Sequence, residues 1–207
     1  MITLYGIAGS RASRNMWMLN ELGLEYQSIA TNDRTGETRT PEFLALNPNG
    51  KVPLLLDGDV KLVESAAINL HLANKYDQGL WFQNPNLQGS AIQWRFWGML
   101  EIDERIMDVL IAPDEPRGTR GFATLRDASA VLDDQLKERD YLLDGRFTVA
   151  DLNTASCFAG GAFMNYDFSE FSNLSRWLHE CYNRPAAAIE NSTLVRFRDL
   201  LAASASP

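Results

Sequence analysis

Every stretch with strand character in this 207-residue chain lies before residue 64, and from residue 77 onward the pattern is helical throughout. That division excludes a single sheet spanning the molecule and a uniform helical bundle alike. Ile2–Tyr5 reads as a short strand, Gly6–Gly9 as a loop, and Ser13–Leu22 as a helix stopped by Gly23. Tyr26–Ala30 reads as a second strand; because a helix joins the two, they are expected to run parallel with a right-handed crossover. After a polar stretch ending at Arg39, Pro41 opens a short helical segment, Asn47-Pro48-Asn49-Gly50 makes a turn, and Leu54–Leu56 resumes as strand. Asp57-Gly58-Asp59 signals a hairpin into Val60–Val63, and Ser65–Tyr76 is helical again. The order βαβαββα describes a small mixed sheet with helices on its faces.

Beyond Asp77 helical spacing recurs in Ala91–Ile111, Arg120–Lys137, Val149–Phe163, Leu174–Asn183 and Ala186–Ala202. The fold class is therefore α/β plus all-α, with units at 1–78 and 87–207 joined by a linker over Gly79–Asn86. Ala202–Pro207, small and polar, is expected to fray.

The formal charge is -8, most of it in the helical part, the wrong sign for neutralising phosphates, so nucleic acid is not an expected partner. Cys157 and Cys181 form no C-x-x-C pair, and His71 and His179 are too few for a zinc cage; neither a structural disulfide nor a metal is expected. No apolar run approaches the roughly 18 residues of a membrane span, and the start lacks a basic leader pattern. A soluble, cytoplasmic protein without a membrane partner is the expectation.

The loop Gly6–Arg14 leads from the first strand into the first helix, so its amides and hydroxyls face the strand's carboxyl end, a place that favours anions. Ser13 is expected to cap the helix, whereas Ser10 has no such duty. Neither histidine lies in a nucleophile motif.

Asn47-Pro48-Asn49-Gly50-Lys51-Val52-Pro53, the Asp57-Gly58 hairpin, and Glu64-Ser65-Ala66-Ala67-Ile68 follow one another in a fixed order. With Ser10-x-x-Ser13-Arg14-x-x-Trp17 upstream, this set resembles the glutathione transferase family, in particular its serine-type, theta-like and phi-like members. The resemblance covers the first 76 residues well and the helical remainder in outline. It implies a thioredoxin-like N-terminal domain, an all-helical C-terminal domain and a homodimer.

It also implies roles for individual residues. The proline matching Pro53 is cis in the family, so that Val52 offers its N–H and C=O to an extended peptide, here glutathione as cosubstrate. Glu64 would take the ammonium of the γ-glutamyl end, while Ser65 donates to its carboxylate; a helix cap at Ser65 is the alternative reading and is compatible with that role. Lys51 and Arg39 align near the glycyl carboxylate. Ser10 aligns with the catalytic serine that donates to the glutathione sulfur, with Ser13 and Arg11 as rivals. Bringing a thiol pKa from about 8.5 to about 6.5 requires roughly 2.7 kcal/mol. A hydrogen bond to a charged group gives about 1.5 to 3 kcal/mol, and a helix N-terminus adds about 0.3 to 1, so neither a general base nor a metal is needed. Relatives with a cysteine in this loop favour mixed disulfides, a chemistry this chain's loop lacks. Tyr5 lies within the strand and is assigned to packing.

In the segment Ala91–Ile111, Ile92, Phe96, Met99, Ile106 and Leu110 are expected to face the core. Trp94, Trp97, Glu101, Arg105 and Asp108 then lie on the other side, at a cleft, a dimer interface or a partly solvated face. Asp103, among the apolar positions, needs a partner, in its own chain or across a dimer. Phe163, Tyr166 and Phe168 are candidates for closing the cleft, and Thr148–Asp151 is a capping box with a folding role. The expected function is conjugation of the glutathione thiolate to a small apolar electrophile. The alternatives are a glutathione-dependent peroxidase or disulfide reductase, and a non-catalytic ligand-binding module.

Overall fold

The computed structural model describes residues 1–164 and 166–204. Strands β1 (Ile2–Tyr5), β2 (Tyr26–Ile29), β3 (Leu54–Asp57) and β4 (Val60–Val63) form one sheet in the order β2-β1-β3-β4. β1 and β2 run parallel, as the helical crossover requires; β3 is antiparallel to both β1 and β4, with Leu4 opposite Leu55 and Asp57 opposite Val60. Helices α1 (Ser13–Glu21), α2 (Pro41–Leu46) and α3 (Ser65–Tyr76) complete the thioredoxin-like half. Leu4, Trp17, Leu55, Ile68 and Leu72 form its core, all fully enclosed. Tyr5 packs edge-on against Phe43 with ring centroids 6.0 Å apart, the packing role expected of it.

The helical half comprises α4 (Pro85–Trp97), α5 (Glu104–Ile111), α6 (Pro116–Gln135), α7 (Val149–Ala155), α8 (Ser172–Tyr182) and α9 (Thr193–Ser204). Helix α4 starts inside the stretch read as linker because Asn84 accepts from the Asn86 amide and Pro85 occupies the first turn. Thr148 and Asp151 form the expected capping box at α7. Asp151 also accepts from the Leu142 amide and the Trp177 indole, tying three segments together.

Three sequence readings need correction here. Ala186–Ala202 is not one helix: a short 3-10 turn at Pro185–Ala187 is followed by a break, with Asn191 at φ 58°, before α9. Val149–Phe163 changes from α-helix to 3-10 geometry at Ser156. Ile92 and Phe96 are exposed, whereas Ala91, Trp94, Arg95, Ile102, Asp103 and Ile106 are buried; between α4 and α5 the chain takes a π-helical turn over Gly98–Asp103. Of the expected core face only Ile106 is fully buried. Of the opposite face Trp94 is buried and packs edge-on against Trp97 at 5.2 Å. Ala202 to Ser204, expected to fray, lie within α9; the rest of that stretch is outside the described residues.

The seam between the halves combines apolar packing, with Trp17 against Phe147 and Tyr182, and a chain of polar contacts. Asn15 on α1 donates to Asn69 on α3 at 2.7 Å, and Asn69 donates to Asn153 on α7 at 2.8 Å, all buried. At the far end of α1, Arg184 grips Glu21 through two hydrogen bonds of 2.6 and 2.7 Å and lies over the Phe147 ring. Among the described residues no helix is long and apolar enough to cross a membrane.

Candidate glutathione site

The site begins where the sheet ends. β1 stops at Tyr5, and Gly6, at φ 142°, turns the chain; a methyl group on it would collide with Cβ of Ala12, so only glycine lets the loop fold back so closely. The loop continues into α1 through Ser10. The Ser10 hydroxyl donates to the Ile7 carbonyl at 2.7 Å and accepts from the Ala12 amide at 3.2 Å, so it does carry a structural duty. Ser13 is not the cap it was read to be: it is the first helical residue, and its hydroxyl donates back to the Ser10 carbonyl at 2.9 Å.

Across the cleft, Asn47 braces the turn that precedes β3. Its side chain donates to the Lys51 carbonyl at 2.7 Å and accepts from the Asn49 amide at 3.1 Å. The Val52–Pro53 peptide is cis, and among the described residues nothing hydrogen-bonds the Val52 main chain. At the β4–α3 junction Glu64 adopts φ 70°, in the left-handed region that non-glycine residues avoid. Ser65 is the first residue of α3 rather than its cap; the cap position is Glu64, which makes no capping bond.

These residues converge on a cavity of about 210 Å³ lined by Lys51, Val52, Pro53, Glu64 and Ser65 together with Arg14, Arg95 and Asp103. A wider cavity of about 620 Å³ adjoins it, sharing Arg11, Arg14, Lys51, Val52 and Asp103. Ser10 lines only the wider one, as do the apolar side chains of Ile106, Met107, Leu110 and Phe163. Phe163 is exposed there, whereas Tyr166 and Phe168 are core residues and do not close the cleft. Arg39 lines neither cavity. Its guanidinium packs over Gly50, where a built methyl group would lie 2.7 Å from Nη1, so it abuts the turn that carries Lys51.

Asp103 answers the question its sequence position raised, and its partners are in its own chain. Arg11 approaches it to 2.6 Å and Arg14 to 2.8 Å, across the seam from the loop and α1. Burial alone would raise the Asp103 carboxyl, but the two guanidiniums outweigh burial and hold it below the ordinary carboxylate range. Arg14, fully enclosed, is likewise held charged: burial disfavours its cation, and Asp103 more than offsets this. Arg14 and Arg95 are members of the site that sequence reading missed; buried arginines carry no hydropathy signal. Among the described residues no cluster of His, Cys, Asp or Glu is arranged to hold a metal ion.

A thioredoxin-like sheet beside a cis-proline, backed by a helical domain that walls the cleft, is the arrangement expected of the transferase class that the sequence resembles. Residues 1–74 match the family described as glutathione S-transferase, N-terminal domain, and residues 99–185 match its C-terminal domain. Glutathione S-transferase 1 of Schizosaccharomyces pombe is 34% identical over 206 residues, covering 82% of this chain and 85% of that protein. A delta-class glutathione transferase from Nilaparvata lugens superposes with a TM-score of 0.83 at 25% identity, covering 99% of this chain and 100% of that one. A glutathione transferase family member from Pseudomonas fluorescens, solved with two glutathione bound, gives 0.81 at 28% identity and 90% coverage of both chains. The chain belongs to the glutathione S-transferase family and is an enzyme of the transferase kind.

Proposed function

We propose that the narrower cavity binds glutathione and that its thiolate, at the mouth of the wider one, attacks an electrophile held against Ile106, Met107, Leu110 and Phe163. The observation that carries this reading is the convergence of Lys51, Val52, Pro53, Glu64 and Ser65 on one cavity that opens into a second, apolar-walled one. The tripeptide would lie along Val52 as an added strand, its γ-glutamyl end at Glu64 and Ser65 and its glycyl end toward Lys51, with Arg39 behind. Ser10 would turn its proton from the neutral Ile7 carbonyl to the anionic sulfur, the stronger acceptor. The helix α1 amides beyond it add a favourable dipole. The apolar row Ile92, Phe96 and Leu100, spaced four residues apart and exposed, supports pairing with a second copy as a homodimer, and a cytoplasmic location fits the family's habit.

A second reading, reduction of a disulfide or peroxide by the same thiolate, draws support from the breadth and charge of the wider cavity. Arg11, Arg34 and Lys51 line it, and the Pseudomonas fluorescens neighbour holds two glutathione molecules. Titrating the ultraviolet thiolate absorbance of bound glutathione, then identifying products from an aryl halide and an organic hydroperoxide, tests both. A pKa left near the free value removes the proposal, and a product set confined to the hydroperoxide selects the second reading.

A further inference from the structure

A third cavity, of about 310 Å³, shares no residue with the two at the cleft. Phe122 and Arg126, one turn apart on α6, line it together with Tyr166, Asp167 and Glu170 from the segment before α8. Arg126 and Glu170 neutralise each other, Nε and Nη2 donating to the two carboxylate oxygens at 2.9 and 2.8 Å. Asp167 accepts from the Ser169 amide at 2.8 Å but pairs with no cation among the described residues. The charge left over in the lining is therefore negative. Phe122 is 47% exposed, and its ring meets that of Tyr166 at a centroid distance of 5.3 Å. Tyr166 is only 5% exposed, yet its buried hydroxyl has no hydrogen-bond partner among the described residues; the neighbouring Ser129 hydroxyl donates to the Leu125 carbonyl at 2.8 Å. A buried hydroxyl in that condition is costly until something bonds to it.

We propose that this cavity is a second ligand site, for a small, flat aromatic cation bearing N–H donors, of the arylamidinium type. The ring lies against Phe122, whose π face also attracts the charge. The cationic N–H group meets the Asp167 carboxylate, and the Tyr166 oxygen, with its lone pairs free, accepts a further N–H. Ligand cavities begin at about 300 Å³, so this one admits a body of one or two rings. A neutral molecule of the same shape gains the ring contact alone, and an anionic one is repelled by Asp167. Occupancy here requires nothing of the cleft.

Benzamidine, benzamide and benzoate share one shape and differ in charge. Each is titrated into the full chain by saturation-transfer NMR, with and without excess S-hexylglutathione to fill the cleft. Benzamidine is expected to saturate with a Kd of about a millimolar in both conditions, and the other two to bind about tenfold or more weaker. Asp167→Asn reduces the preference for benzamidine over benzamide about fivefold or more, whereas Phe122→Ala weakens both probes together. Tyr166→Phe lowers benzamidine affinity several-fold while the denaturation midpoint of the free protein does not fall, because no bond within the protein is lost. Four results overturn the site: no saturable benzamidine binding in the millimolar range, equal affinity for the three probes, a full preference retained in Asp167→Asn, or displacement of benzamidine by S-hexylglutathione, which places it in the cleft. An S-hexylglutathione that does not bind counts against the reading of the cleft alone, and the benzamidine preference and its loss in Asp167→Asn still decide this site.

Discussion

Arg14 lies 2.8 Å from Asp103, a helix α1 guanidinium meeting a carboxylate from the helical half at the base of the cleft. Both side chains are buried, and Arg11 reaches the same carboxylate from the loop after β1. One contact thus fixes the position of the loop, of α1 and of the helical wall. Asp103→Asn leaves two cations facing a neutral amide. Loss of one partner from a buried pair costs about 3 to 5 kcal/mol, and chemical denaturation should show a loss of that order. Arg14→Met, which removes a buried cation yet leaves Arg11 for Asp103, should cost less; equal stability of wild type and Asp103→Asn would contradict the pairing.

Ser10→Ala tests the assignment of the thiolate donor. One hydrogen bond to a charged acceptor, worth about 1.5 to 3 kcal/mol, corresponds to roughly one to two pKa units. The bound glutathione thiol should therefore titrate one to two units higher in the variant, with turnover at neutral pH falling in step. An unchanged titration would hand the role to Arg11 or to the α1 amides.

Asp57, at the end of β3, sets an acid limit on stability. Burial alone pushes its carboxyl up, but hydrogen bonds from Lys75, His71 and Tyr76 on α3 outweigh burial and bring it down to about 2, from an ordinary 3.8. Because the folded value lies below the unfolded one, the contribution is complete above about pH 5 and is lost as the pH falls toward 2. It amounts to about 2 kcal/mol. Urea unfolding across that range should show this loss in wild type. Asp57→Asn should be less stable at pH 7 by a similar amount and flatter with pH.

Phe163 lines the wider cavity with the Arg196 guanidinium 4.4 Å from its ring centre. Phe163→Ala removes apolar surface from the acceptor's wall. An apolar acceptor should show a KM raised several-fold, consistent with about 1 kcal/mol of lost burial. The titration of bound glutathione should not move, since the ring has neither a charge nor a hydrogen-bond donor to offer the sulfur.

Phe96→Asp places a charge in the exposed row with Ile92 and Leu100. If that row pairs two copies, sedimentation should show the variant as a monomer, and a dimer of undiminished strength would locate the interface elsewhere.

The N-terminal half was legible because its signals are local. A strand of four residues, a Gly stop, an Asp-Gly turn and a proline each constrain the backbone at the position where they occur. Lys51, Val52, Pro53, Glu64 and Ser65 were found by motif and do share one cavity. The helical half misled where chemistry inverts hydropathy. Arg95 is buried while Ile92 and Phe96 are exposed, so an apolar-face argument assigns the wrong side of α4, although it rightly put Asp103 and Ile106 among the buried positions. The engaged Ser10 hydroxyl and the guanidinium over Gly50 were beyond reach for another reason, since the first depends on a tight turn back to Ile7 and the second on how the Arg39 loop meets the turn at Gly50.

The relay of side-chain amides from Asn15 through Asn69 to Asn153 has a bearing on how such a cleft can change. Apolar packing tolerates sliding, whereas each amide here must keep its neighbour's orientation to stay bonded. The joint behaves as a keyed coupling, holding one wall at a set angle to the other. On the proposed function, residues such as Met107 and Leu110, which line the wider cavity, could be exchanged while the two walls keep their angle.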